Sequence, residues 1–141
     1  MAARLDSRIV TGMETQTGLH AGMTGRAELV VGPTDTALAA RSGDVEVLGT
    51  PRLIALCEEA TTSAIAEAVP ATWTTVAMRV RFDHLAPVGV GTTVHADATL
   101  ERVEGRRLVF TVTASDSAGL VGAGRVTRVA IERDRFLTKA R

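Results

Sequence analysis

Residues 49–70, GTPRLIALCEEATTSAIAEAVP, constrain the fold of this chain more than any other stretch, because they read as one long helix with both ends marked. Thr50 suits the N-cap, and Pro51 suits the first helical position, where a missing N–H costs nothing. Pro70 stops the pattern, so the spacing predicts a helix over 50–69. At about 100° per residue, Leu53, Ile54, Cys57, Thr61, Ala64, Ile65 and Ala68 gather on one face. Beyond Pro70 the period falls to two. Val76, Met78, Val80 and Phe82 alternate with Arg79, Arg81 and Asp83. Val94, Ala96, Ala98 and Leu100 alternate with His95, Asp97, Thr99 and Glu101, and Leu108, Phe110, Val112 and Ala114 repeat the pattern. Turns are expected at Glu104-Gly105 and over 116–119, before a last strand over 121–131 that contains Gly122 and Gly124. Upstream of the helix, 27–31 reads as a strand, 37–43 is ambiguous with a helical turn as one reading, and 45–48 is extended.

Short turns between consecutive strands imply an antiparallel meander, and its apolar face needs a cover. The single strong helix is the candidate for it. The expected architecture is therefore α+β: a hot-dog fold, with a curved antiparallel β-sheet wrapped around one long α-helix. A free edge strand in such a sheet invites pairing with a second copy, so a homodimer or a higher oligomer is expected. A length of 141 residues suits one domain, assigned to 18–141, with 1–17 expected to be a flexible N-terminal segment because it lacks periodicity. Formal net charge is +0 and aromatics are only 3%, which argues against phosphate-backbone binding and base stacking, hence against a nucleic-acid partner. The core must instead be built from Val, Ala, Leu and Ile. The lone Cys57 supplies neither an internal disulfide nor a thiolate zinc site. No apolar run approaches the roughly 18 residues of a membrane span, and no signal-peptide pattern is present. A cytoplasmic protein without a membrane partner is the expectation.

Three positions could carry chemistry. Glu58 falls at the border of the helix's apolar stripe, where partial desolvation suits a general base or a water-holding carboxylate, while Glu59 points to solvent. The same border position equally suits an ordinary boundary charge. His84 ends its strand with the parity of Val80 and Phe82, facing the core beside the Pro/Gly-rich stretch 85–91, which fits a proton-transfer group or a structural histidine bonded to backbone. Thr50 either caps the helix or lines a cleft at its start, where amides and the dipole attract a carbonyl oxygen or an anion. Eight residues separate Thr50 from Glu58, about 12 Å along the axis, so these two cannot meet directly through one helix. His20 and His95 offer nothing comparable, and no ligand spacing for a metal is found. Gly122-Ala123-Gly124 reads as a strand kink rather than a dinucleotide-binding loop.

Several segments together resemble the fluoroacetyl-CoA-thioesterase-like family of hot-dog proteins: GTPRLIALCEEA at 49–60, HLAPVGVGTTV at 84–94, LERVEGRRLVFTVTASD at 100–116, GAGRVTR at 122–128, and the tail ERDRFLTKA. The resemblance spans about 25–140. It implies a small dimer that hydrolyses acyl-CoA thioesters with a Thr, a Glu and a His, which fall on Thr50, Glu58 and His84. The family's substrate-positioning glycine falls near Ala77, and a late arginine that would contact the CoA phosphates falls on Arg128. No cofactor is implied beyond CoA as part of the substrate.

Departures from the family bear on specificity. The usual Thr-Pro pair after the histidine is Val88-Gly89, the usual His-Glu before the late arginine is Val126-Thr127, and the lid region 33–43 contains no aromatic residue. The expected activity is hydrolysis of a small or medium acyl-CoA, without selectivity for the fluoroacetyl group. The competing expectation is a non-catalytic acyl-CoA or ligand-binding module on the same fold. A dehydratase lacks its Asp/His pairing here.

Overall fold

The structure, a computed structural model, describes residues 18–140. The segment 1–17, expected to be flexible, lies outside the described residues. Five strands form one antiparallel sheet: β1 (Thr24–Val30), β2 (Trp73–His84), β3 (Thr93–Glu104), β4 (Arg107–Asp116) and β5 (Gly119–Glu132). Their spatial order is β1-β3-β4-β5-β2. Only β3, β4 and β5 are the predicted meander; β2 crosses to the far edge and pairs with β5, so β1 and β2 are the two edges. A short helix, α1 (Ala37–Ala40), and the long α2 (Thr50–Ile65) lie between β1 and β2, and α3 (Arg133–Lys139) follows β5. The extended segment expected at 45–48 makes only isolated bridges, Thr36 to Leu48 and Val47 to Gly89.

The curled sheet encloses α2, whose buried face is Leu53, Leu56, Cys57, Ala60, Thr61, Ala64 and Ile65. Leu56 and Ala60 join the expected stripe and Ile54 leaves it, a small rotation of the helix about its axis. Close approach depends on small residues. A Cβ on Gly25 of β1 would overlap the backbone of Ala64 and come within 2.5 Å of the Ala60 carbonyl. The helix ends at Ile65, earlier than the expected 69. Towards that end two hydroxyls bond back to the backbone, Thr61 Oγ1 to the Glu58 carbonyl (2.6 Å) and Thr62 Oγ1 to the Glu59 carbonyl (2.8 Å).

One irregularity governs the site. The pairing of β2 with β5 shifts register between Ala77 and Arg79, a β-bulge at Met78. Trp73 and Ala77 pack against the core before the bulge, and Val80 and Phe82 do so after it, while Met78 is 44% exposed. The expected single parity for Val76, Met78, Val80 and Phe82 is therefore broken. Without the extra residue, Ala77 and His84, seven apart, would face opposite sides of the sheet. With it, both belong to the inner face.

Replacing Gly25 by valine should wedge β1 from α2 and destabilise the fold by about 3 kcal/mol, the upper end of overpacking costs. Urea unfolding followed by circular dichroism measures this; an unchanged midpoint would show that the helix does not seat on that glycine.

Candidate active site

The start of α2 differs from its sequence pattern in a way that bears on chemistry. Gly49, not Thr50, is the N-cap, and Thr50 is the first helical residue. Its hydroxyl is therefore not spent on a backbone amide. Thr50 Oγ1 instead lies 2.7 Å from His84 Nδ1 at the end of β2. Arg52 anchors this helix end through an ion pair with Asp35 (3.1 Å), and the Gly49 amide donates to the Asp35 carbonyl (2.9 Å). Gly49 is needed there, since a Cβ would press against the backbone of Ala37 at 3.1 Å.

His84 has one ring nitrogen committed and the other idle. Nε2 is buried and has no hydrogen-bond partner within the protein. A buried polar atom left unpaired costs free energy, and such an orphan at a cavity wall is a ready donor or acceptor for a bound molecule. The adjoining cavity, about 330 Å³, is lined by Ala37, Val45, Val47, Leu48, Leu85 and Ala86 beside the Thr50–His84 pair. No aromatic residue borders it.

Glu58 lies elsewhere. No hydrogen bond joins it to Thr50 or His84; its carboxylate instead pairs with Arg128 at 3.6 Å. Its side chain is 35% exposed, against 55% for Glu59, so the helix border separates the two glutamates as their spacing predicts. A second cleft of about 570 Å³ runs past Glu58, Arg128, Ala77, Met78 and Val80 along the edge of β2. Arg128, expected to contact the CoA phosphates, lines that same cleft. The residue is 6% exposed, faces inward opposite Ala77 in the β2–β5 register, and donates from Nε to Thr75 Oγ1 (2.8 Å) and from Nη2 to the Thr75 carbonyl (2.9 Å). Burial pulls its pKa below the ordinary value, with Glu58 pulling the other way. The sequence reading overlooked Thr75 and gave Thr61 no partner. Thr61 did carry a signal, as a polar residue on an otherwise apolar helix stripe, which implies a buried partner.

Residues 31–134 match the family described as fluoroacetyl-CoA-specific thioesterase. The chain belongs to that family. Its members are thioester hydrolases, and the match takes in both the long helix and the strand that ends at His84. A fluoroacetyl-CoA thioesterase from Streptantibioticus cattleyicolor is 32% identical over 96 residues, covering 68% of this chain and 69% of the relative. The solved structure of a fluoroacetyl-CoA thioesterase superposes with a TM-score of 0.82 at 28% identity, over 86% of this chain and 95% of the other. A thioesterase-superfamily protein from Thermus thermophilus gives 0.77 at 27% identity, over 84% and 88% of the two chains. A hot-dog-like protein from Thermanaerovibrio acidaminovorans gives the same TM-score, identity and coverages. The fold is thus the α+β hot-dog that the element order predicts. Among the described residues, no group of three His, Cys, Asp or Glu could hold a metal ion, and no helix is long and apolar enough to cross a membrane.

Cys57 lies on α2 between Thr50 and Glu58 yet takes no part. It is buried in the core, and desolvation, aided by the neighbouring Glu58, pushes its pKa up to about 12 from 9.0. At pH 8 such a shift leaves a thiolate fraction about a thousandfold smaller than for an ordinary cysteine. Native protein should therefore be inert to a disulfide reagent such as Ellman's and should react once unfolded. Rapid labelling of the native chain would place Cys57 outside the core.

Proposed function

We propose that this chain is an acyl-CoA thioesterase acting on small or medium acyl groups, without selectivity for fluoroacetyl, and that it works as a homodimer. The observation that carries the reading is the 2.7 Å contact of Thr50 with His84 at the wall of a cavity, with Nε2 of the same ring left without a partner in the protein. His84 takes the Thr50 proton as Oγ1 attacks the thioester carbonyl; the C–O bond forms, the C–S bond breaks, and the proton passes to the departing thiolate. A water, oriented by Glu58, then hydrolyses the acyl-threonine and restores the hydroxyl. Amides at the start of α2 would stabilise the oxyanion, an effect worth roughly 3 kcal/mol per donor in known sites.

The dimer supplies what one chain leaves apart. Ala77, which with Arg128 lines the cleft beside Glu58, lies seven residues from His84 along β2, about 23 Å of strand. β2 is an edge strand, and an antiparallel β2–β2 pair centred near Val80 and Arg81 would lay the Ala77–Glu58 cleft of each protomer against His84 of the other. Thr50 and His84 would then work with the carboxylate of the second chain. The apolar wall of small aliphatics, together with the lack of any aromatic in 33–43, supports a pocket that does not single out a fluorinated acyl group.

Thiol release from an acyl-CoA panel tests the activity. His84→Ala and Glu58→Ala should each lose most of the turnover, while fluoroacetyl-CoA and acetyl-CoA should differ in kcat/KM by no more than about tenfold, the small end of single-group discrimination in an apolar pocket. Turnover of both variants at the wild-type rate would refute the mechanism, and CoA binding without turnover would favour the non-catalytic module. Mixing inactive Glu58→Gln and His84→Ala chains, unfolded and refolded together, should restore about a quarter of wild-type activity if each site is shared, since half the dimers are mixed and each mixed dimer has one intact site. No recovery on mixing would place all three residues in one chain.

A further inference from the structure

One face of the sheet carries charge that the composition conceals. The whole chain has a formal net charge of +0, yet the outward face gathers arginines from β2, β3, β4 and β5. Register explains how. Beyond the bulge Val80 and Phe82 pack inward, so Arg79 and Arg81 stand outward, opposite Thr127 and Arg125 of β5. Thr127 in turn pairs with Val109 of β4, and Val109 with Arg102 of β3. Arg107, two residues before Val109, shares its face. Thr127 and Val109 thus make a floor ringed by arginines. Val109 points outward yet is only 5% exposed, as arginine stems lying across it require. The result is a recess of about 180 Å³ walled by Arg79, Arg81, Arg102, Arg107 and Arg125, with Glu104 its one acid.

Such a cluster costs stability unless something answers it. Arg81 and Arg125 are directly opposite across β2 and β5, and like charges so placed repel. Glu101 pairs with Arg102 (3.0 Å) and Arg125 (3.2 Å), and Glu104 pairs with Arg102. Among the described residues, nothing gives Arg79, Arg81 or Arg107 an ion-pair partner. Three unanswered guanidinium forks around one small recess suit a group with several anionic oxygens, because each fork can meet a phosphate through two parallel hydrogen bonds.

The surroundings narrow the ligand. Arg79 lines this recess and also the cleft that runs past Glu58, so the two meet at the edge of β2. A thioester held in that cleft must let its other end leave across an edge of the sheet, and CoA carries its phosphates at that end. We propose that the outward arginine recess binds the phosphate groups of the acyl-CoA substrate, with Arg79, Arg81 and Arg107 as the ligating side chains. The identity of the ligand rests on the thioesterase reading, whereas the presence of an anion site does not. The recess adds affinity and draws an anionic substrate towards the cleft without touching the thioester.

The test compares one acyl group on two carriers, CoA and pantetheine, the second of which has no phosphate. In the full chain, the paired substitution Arg81→Gln with Arg107→Gln should raise KM for the acyl-CoA by about tenfold and leave its kcat within about twofold, as the loss of charge-assisted contacts remote from the reacting bond predicts. KM for the acyl-pantetheine should move by less than about twofold, so the preference for the CoA carrier collapses. Raising salt from about 50 to about 500 mM should erode the same preference in the wild type, because the recess is exposed. Arg135→Gln, on α3 and away from the recess, should change neither KM. An equal rise in KM on both carriers, or no rise on either, overturns the proposal. If the paired variant does not fold, Arg107→Gln alone decides by the same comparison. Calorimetric titration with adenosine 3′,5′-bisphosphate gives a readout independent of turnover: wild type should bind it and the paired variant should bind about tenfold more weakly, with adenosine itself not bound. Equal binding to wild type and variant, or inorganic phosphate bound as tightly as the bisphosphate, overturns the assignment. Should the wild type hydrolyse no thioester at all, the thioesterase reading fails by itself, and the bisphosphate titration still decides whether the recess is a site for a phosphorylated ligand.

Discussion

The close seating of α2 inside the curled sheet is the constraint on which the rest of the molecule depends. A helix can lie this near a strand only where side chains are missing, and Gly25 meets Ala60 and Ala64 at that crossing. The core around it is small and aliphatic, with Phe110 the one fully buried aromatic. Packing of this kind fixes the helix in rotation and in height. A rotation of a few tens of degrees would carry Glu58 off the cleft and Thr50 away from His84. The site's precision is therefore borrowed from the core.

The sheet contributes a second device. The bulge at Met78 adds one residue to β2, and that residue changes which side of the sheet the remainder of the strand faces. Ala77 and His84 both lie inward only because of it. The two ends of the inner edge thus acquire different tasks. At one end a histidine meets the hydroxyl at a helix start; at the other a small residue leaves space for a buried arginine and its glutamate. Neither end alone holds the full set of groups, and β2 is an open edge.

Much of this architecture could be read along the chain. The helix between Gly49 and Pro70, the alternation in β3 and β4, and the turn at Gly105 all follow from local sequence, because burial on one face writes a period into the residues themselves. Glu58 and Glu59 separated as their helical spacing required. Errors arose where local signals competed. Thr50 followed by Pro51 looks like a cap, yet Gly49 takes that position and the hydroxyl goes to a residue 34 positions away. β2 looks like a single alternating strand, since a bulge inserts no unusual residue; Met78 is apolar like Val76 and Val80 on either side of it in the alternation. The helix ends at Ile65, before the proline, and passes into a tighter turn in which the Ala68 amide donates to the Ile65 carbonyl. Strand order was also partly hidden, as β2 and β3 are adjacent in sequence but not in the sheet.

By itself, the sequence determined the α+β class, the single long helix, the aliphatic core, and the candidate trio Thr50, Glu58 and His84. Those features depend on which residues sit three, four or two apart, and such spacings are local. Only the tertiary structure decided how the trio divides: Thr50 with His84, Glu58 with Arg128. It also placed Arg128, expected to contact the substrate, in the wall of the cleft beside Glu58 with its guanidinium bonded to Thr75. Both outcomes depend on which strands become neighbours and where one extra residue shifts the pleat, and these are set by long-range pairing that no local spacing encodes.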